Sequence, residues 1–217
     1  MINKGILYII LFTPLIVSCN KEAKKFKLPV YGRPTITETV VNGIMKSDTV
    51  LHQVAPFAFY NQDSLVVNND SFKDKIYIAD FFFTSCPTIC PVMKKQMLKV
   101  YDKYLNNDTI SILSHTIDPE YDNISVLKTY ANALGVESPK WNFVTGKQED
   151  IYDIAESSYM VTAGEDNEAP GGYIHGGAFI LVDPNRRIRG VYDGTNEDQV
   201  NVLLSDIDWL LKEVNEK

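Results

Sequence analysis

The stretch FFTSCPTICPVMKK, residues 82–95, carries two cysteines four positions apart, Cys86 and Cys90, each followed by a proline. Paired thiols at this separation have three uses. They can interconvert with a disulfide, clamp a soft metal ion as thiolates, or pack in a core as small hydrophobes. The elements around them bear on the choice. KIYIADFFF, just upstream, is nearly continuous apolar sequence, the pattern of a parallel strand buried on both faces. Residues 88–105 carry Ile89, Val92, Met93, Met97, Val100 and Tyr104 at helical spacing. Pro87 stands where that helix should begin, a position proline suits. On this reading Cys86 sits at a helix start and Cys90 one turn further on the same face. Free N–H groups and the positive end of the helix dipole there favour thiolate. A lone cysteine is usually core, but a pair at a strand-to-helix junction points to chemistry.

The remaining elements alternate. APFAFYNQDSLVV reads as two short strands around a polar turn at 61–64, and TISILSHTI as another strand. Residues 124–134 read as a helix stopped by Gly135, WNFVTG as a strand, and 149–157 as a short helix. GAFILVDPNRRIRGVY is a hairpin turning at 183–186. Asn196 caps a last helix with Val200, Leu203, Leu204, Ile207 and Leu210 on one face. Strands and helices in this order predict an α/β fold with a central mixed sheet flanked by helices.

At 217 residues and 45% hydrophobic, the chain can bury a full core, and it suits one domain with extensions. Its net charge of −7 argues against a nucleic-acid partner. The N-terminus stands apart. Lys4, then an apolar run from Ile6 to Val17, then small Ser18 before Cys19 has the form of a secretory signal. The run is short for a membrane span, which takes about 20 residues. LIVSC is similar to the bacterial lipobox, in which the cysteine is lipidated and becomes the first residue of the mature chain. The expected organisation is a lipoprotein signal peptide at 1–18, a tether and N-terminal extension at 19–50, and a folded domain at 51–217. The chain would then be anchored by lipid at Cys19 in the cell envelope, facing the periplasm. Outside the cytoplasm, neighbouring thiols oxidise unless reduced or metallated.

Three segments together resemble the Sco/SenC family of copper-handling proteins. FFFTSCPTICPVM is similar to the family's C-x-x-x-C-P signature, SHTIDPEYDN to its S-x-D-P-E-x-D segment, and YIHGGAFILVDPNRRIRGVYDG to its histidine-plus-hairpin segment. The resemblance implies a thioredoxin-like fold, a role in cytochrome c oxidase assembly, and one copper held by Cys86, Cys90 and His175. The chemistry agrees. Two thiolates and an imidazole make a soft site suited to Cu(I), and the nitrogen helps hold Cu(II). A structural zinc site needs a fourth protein ligand, and none is evident. Of the other histidines, His52 lies far from the motif in sequence. His115, at the end of the TISILSHTI strand, reads as structural, with a supporting or alternative-ligand role open.

Asp80 stands inside the apolar strand, six residues before Cys86. Thioredoxins place a proton-transferring aspartate at the same offset, and by that analogy Asp80 reads as a proton acceptor for thiol chemistry. A structural carboxyl bonded to a neighbouring strand is the alternative. Three functions follow: a metallochaperone delivering copper to the oxidase's copper-site subunit or another copper protein, a tethered thiol–disulfide oxidoreductase acting on such a target's cysteines, or a redox or copper sensor. The first is favoured.

Overall fold

The computed structural model describes residues 27–166 and 168–215. Two strands, β1 (Thr35–Val41) and β2 (Ile44–Val50), form a separate hairpin. Then follow β3 (Ala58–Asn61), β4 (Val66–Asn68), β5 (Ile76–Phe82), α1 (Cys90–Tyr104), β6 (Ile110–Thr116), α2 (Ile124–Leu134), β7 (Trp141–Thr145) and α3 (Gln148–Asp153). A small hairpin of β8 (Ala163–Glu165) and β9 (Tyr173–His175) precedes β10 (Ala178–Val182), β11 (Ile188–Asp193) and α4 (Glu197–Asn215).

Seven strands make one mixed sheet in the order β11-β10-β5-β6-β7-β3-β4. β5, β6 and β7 run parallel, while β10 lies antiparallel against the other side of β5. β5 is therefore an interior strand of the sheet, and all seven of its residues are buried. That is why its sequence shows no polar alternation. Local chemistry sets the boundaries of the other elements. Asn123 accepts hydrogen bonds from the Ser125 and Val126 N–H groups at the start of α2, and Gly135 ends it at φ 69°. The Asn196 carboxamide likewise accepts from Asp198 and Gln199 at the start of α4. Val200, Leu203, Ile207 and Leu210 of α4 are buried, with Leu204 at the margin. The hairpin at 183–186 forms as expected, held by Asp183, whose carboxylate accepts from the Asn185 and Arg187 N–H groups.

α1 begins later than its periodicity suggests. It starts at Cys90, with Pro91 rather than Pro87 in its first turn, so Cys86 lies outside it. The Cys86 N–H bonds back to Phe83 O at 3.2 Å, which spends residues 83–86 on a separate turn. The two cysteines thus do not occupy successive turns of one helix face.

The 28–31 segment packs on the sheet margin rather than hanging free. Leu28 is buried, and Tyr31 bridges to Ile188. Its carbonyls are gripped by Arg189, which is 4% exposed. The guanidinium donates to Leu28 O at 2.6 Å and Pro29 O at 3.0 Å, and it pairs with Asp183 and Glu213. The fold keeps this buried cation because every donor face has an acceptor.

Candidate metal centre

The site stands at the carboxyl end of β5. Cys86 follows the strand on a turn, and Cys90 opens α1. The second arm arrives from 85 residues away: His175 Nε2 lies 3.3 Å from Cys90 Sγ. The ligand atoms of Cys86, Cys90 and His175 all fall within 4.8 Å of one another. Among the described residues this is the one group of three or more His, Cys, Asp or Glu side chains close enough to share a metal ion. Both cysteines are free and buried.

The SHTIDPEYDN segment holds both arms. The Asp122 carboxylate, wholly buried, accepts from the Thr84 N–H at 3.0 Å, from the Thr84 hydroxyl, and from Thr116 Oγ1 at 2.5 Å. This fixes the approach to Cys86. Asp118 accepts from the Tyr173 hydroxyl at 2.9 Å, two residues before His175. The Tyr173 and His175 rings both pack on Phe83, with centroids 5.2 and 5.9 Å away. Gly171, at φ 90°, closes the loop onto the same place. A Cβ there would stand 2.9 Å from Phe83 and 3.1 Å from Pro87. The stretch before His175, AGEDNEAPGGY, is rich in Gly and acid, a composition that by itself reads as a flexible loop. The structure instead pairs β9 with β8, register Ala163 to His175, and pins it by Tyr173. Asp118 and Asp122 were visible only as part of a resembling segment, because their partners are distant in sequence.

The electrostatics distinguish the thiols. Burial pushes Cys86 up, but hydrogen bonds from the Cys90 side chain and the Thr88 and Cys90 backbone outweigh it, leaving the thiol below its ordinary range. Burial pushes Cys90 up strongly, and donation toward Cys86 adds to this. Burial lowers His175, opposed only by the Gly176 backbone, so its imidazole stays neutral and able to ligate. Cys86 is therefore the readier thiolate and nucleophile, while Cys90 keeps its proton until a metal or disulfide takes its place.

Asp80 is buried in β5 and accepts from Ser114 Oγ, which in turn accepts from Trp141 Nε1 at 2.8 Å. It shares a pocket of about 10 Å³, the scale of one water molecule, with Cys90, Met93, Ser114 and Tyr130. Burial raises its carboxyl to about 7, against the lowering effect of Ser114. His115 is different. Alternation along β6 turns it to the opposite face from Ser114. There it stacks on Phe81 at 4.8 Å, edge-on to Phe59, with no exposure. Burial holds its imidazole down at about 3, and the nearby Asp80 backbone offsets this only weakly. It is a core residue outside the Cys86, Cys90 and His175 group. His52 bonds Ser158 O at 2.7 Å.

The two buried groups give opposite pH dependences. Asp80 has a raised folded pKa, so its contribution is fully present below about pH 4 and is lost as pH rises through about 7. His115 has a depressed one, so its contribution falls as pH drops from about 6.5 toward 3. Asp80→Asn is expected to remove the first slope. Its unfolding free energy, from denaturant titration, should gain on the wild type between pH 4 and 8, by at most about 4 kcal/mol. Parallel wild-type and variant profiles across that range would show that Asp80 ionises as freely in the fold as outside it.

Known proteins share this fold. Residues 46–212 match the family model described as SCO1/SenC. The "SCO1 protein homolog" of Bacillus subtilis is 33% identical over 166 residues, covering 74% of this chain and 83% of that protein. A solved SCO1/SenC family lipoprotein from Bacillus anthracis superposes with a TM-score of 0.68 at 27% identity, covering 74% of this chain and 95% of the other. The solved BsSco, described as a member of the Sco family of cytochrome c oxidase assembly proteins with a disulfide switch, superposes at 0.65 with 32% identity, covering 73% and 93%. The fold is thioredoxin-like, as the resemblance implied. The chain belongs to the SCO1/SenC family.

Proposed function

We propose that this chain is a membrane-tethered copper carrier that binds one copper ion through Cys86, Cys90 and His175 and serves assembly of the copper centre of cytochrome c oxidase. The observation that carries the reading is the convergence of two thiols and a neutral imidazole within 4.8 Å. That donor set is soft enough for Cu(I), and its nitrogen supports Cu(II). The two arms are anchored separately, by Asp122 and Asp118, so the donors are held in place before the metal arrives. The oxidase target comes from the described role of BsSco's family. The tether is lipid at Cys19, which lies outside the described residues. No helix among the described residues is long and apolar enough to cross a membrane. Cys19→Ala is expected to leave the protein unprocessed or free of the membrane fraction. Mature protein still sedimenting with membranes would remove the lipid from the scheme.

The carrier reading predicts a redox-gated load. Reduced protein, given copper without oxygen, should take up one ion per chain by metal analysis. The same protein oxidised to the Cys86–Cys90 disulfide should take up none, because no thiolate remains. A second reading rests on the unequal thiols and on Asp80 beside Cys90, the layout of a thiol–disulfide oxidoreductase. Reduced protein that binds no copper yet rapidly reduces a disulfide substrate decides for it.

A further inference from the structure

Among the described residues, the β1–β2 hairpin pairs with no other strand. Each strand pairs only with the other, and Ile36, Val40, Ile44 and Met45 are 65–70% exposed. Its turn is Asn42–Gly43, both at positive φ, the tight connection that matches strand twist. An isolated two-stranded hairpin is marginal in water and needs a surface to lie on. Its residues are sorted along its length. The tip, from Val40 to Met45, has no charge, while Glu38, Lys46 and Asp48 lie toward the base.

The base identifies the surface. The chain enters the hairpin from Tyr31, whose N–H bonds Ile188 O, and leaves it to Val54, whose N–H bonds Arg186 O. Both anchors lie at the β10–β11 turn, Arg186 within it and Ile188 at the start of β11. That turn lies beside Tyr77 at the start of β5, whereas Cys86 follows its end. A seven-residue strand, about 20 Å, separates the two poles. The Arg189 clamp on Leu28 and Pro29 brings the N-terminal segment to the hairpin's pole. Only residues 20–27 lie between that clamp and Cys19, a reach of at most about 30 Å. They include Lys21, Lys24, Lys25 and Lys27, which suit anionic headgroups.

We propose that the uncharged hairpin tip, Val40 to Met45, docks into the lipid surface that holds the tether, so that the Cys86–Cys90–His175 site points away from the bilayer. The proposal rests on the lipid anchor at Cys19. Apolar side chains enter the acyl boundary while the charges behind them stay at headgroup level, the division seen in interfacial membrane segments. The hairpin then sets orientation, and the lipid sets residence.

The test uses the full mature chain in vesicles of phosphatidylethanolamine and phosphatidylglycerol. A photoreactive benzophenone side chain replaces either Met45, at the tip, or Tyr121, an exposed residue at the thiol end. Lipid adducts at 45 should exceed those at 121 at least tenfold, and Ile44→Asp should abolish the excess without releasing the chain. Equal yields at the two positions overturn the proposal, as does an adduct from 45 to a second copy of the chain. Vesicles that float with the protein but give no adduct at 45 overturn the hairpin's role and leave the anchor standing. Protein that fails to float with the vesicles overturns both.

Discussion

Cys86→Ser is expected to empty the site, taking copper from one ion per reduced chain to none in either oxidation state. The reason is the donor count. A lone Cys90 thiolate with His175 leaves a two-donor site, and Cys90 is the thiol that burial holds protonated. Replacing the readier thiolate therefore leaves the worse ligand to begin binding. Cys90→Ser should do the same by leaving Cys86 without its partner. His175→Ala should separate the two oxidation states. Cu(I) is held chiefly by soft sulfur, while Cu(II) needs the nitrogen to complete a more planar set. The Cu(II) loss should exceed the roughly 10–100-fold that removing an outer partner of a ligand typically costs. The Cu(I) loss should be smaller. Metal analysis gives the stoichiometry, and the thiolate-to-Cu(II) charge-transfer band gives the mode. A Cys86→Ser protein that keeps one copper and that band places the site elsewhere.

Arg189→Leu should cost the fold about 3–5 kcal/mol, the range for removing one partner of a buried charge cluster. Arg189 and Asp183 side chains are only 5% and 4% exposed, and Glu213 is 15% exposed. Without the guanidinium, two carboxylates lose their counter-charge and the Leu28 and Pro29 carbonyls lose their donors. Asp183 keeps the Asn185 and Arg187 N–H bonds, which places the expected loss toward the lower end. Arg189→Lys should recover only part, since one ammonium cannot serve four acceptors in the guanidinium's planar arrangement. Denaturant unfolding measures the loss, and limited proteolysis around residues 27–34 reads release of the clamp. A loss under about 1 kcal/mol, with unchanged cleavage, would mean that water replaces the guanidinium at little cost.

Both predictions depend on partners that lie far apart in the chain, and this marks the limit of sequence reading. Elements whose signals are local appear where sequence patterning puts them. α2 lies between the Asn123 cap and Gly135, β5 shows as an apolar run interrupted only by Asp80, and the last hairpin turns on Asp183. Each depends on residues within a few positions of one another, through side-chain periodicity, capping oxygens and turn geometry. The cysteine pair is legible for the same reason. Tertiary structure decided the rest, or supplied the physical reason for it. α1 starts at Cys90 because the preceding turn is held by Asp122, across the sheet in the β6–α2 connection. His175 rather than His115 joins the thiols because β10 runs antiparallel beside β5 and brings the chain before it to the cysteine end. His115, on the strand next to β5, is turned the other way by strand alternation into an aromatic core. The Arg189 clamp left no mark in periodicity, because a buried ion cluster is defined by what surrounds it; the β1–β2 hairpin did leave one, β-branched runs on either side of Asn42–Gly43, and only its exposure was decided by the tertiary structure.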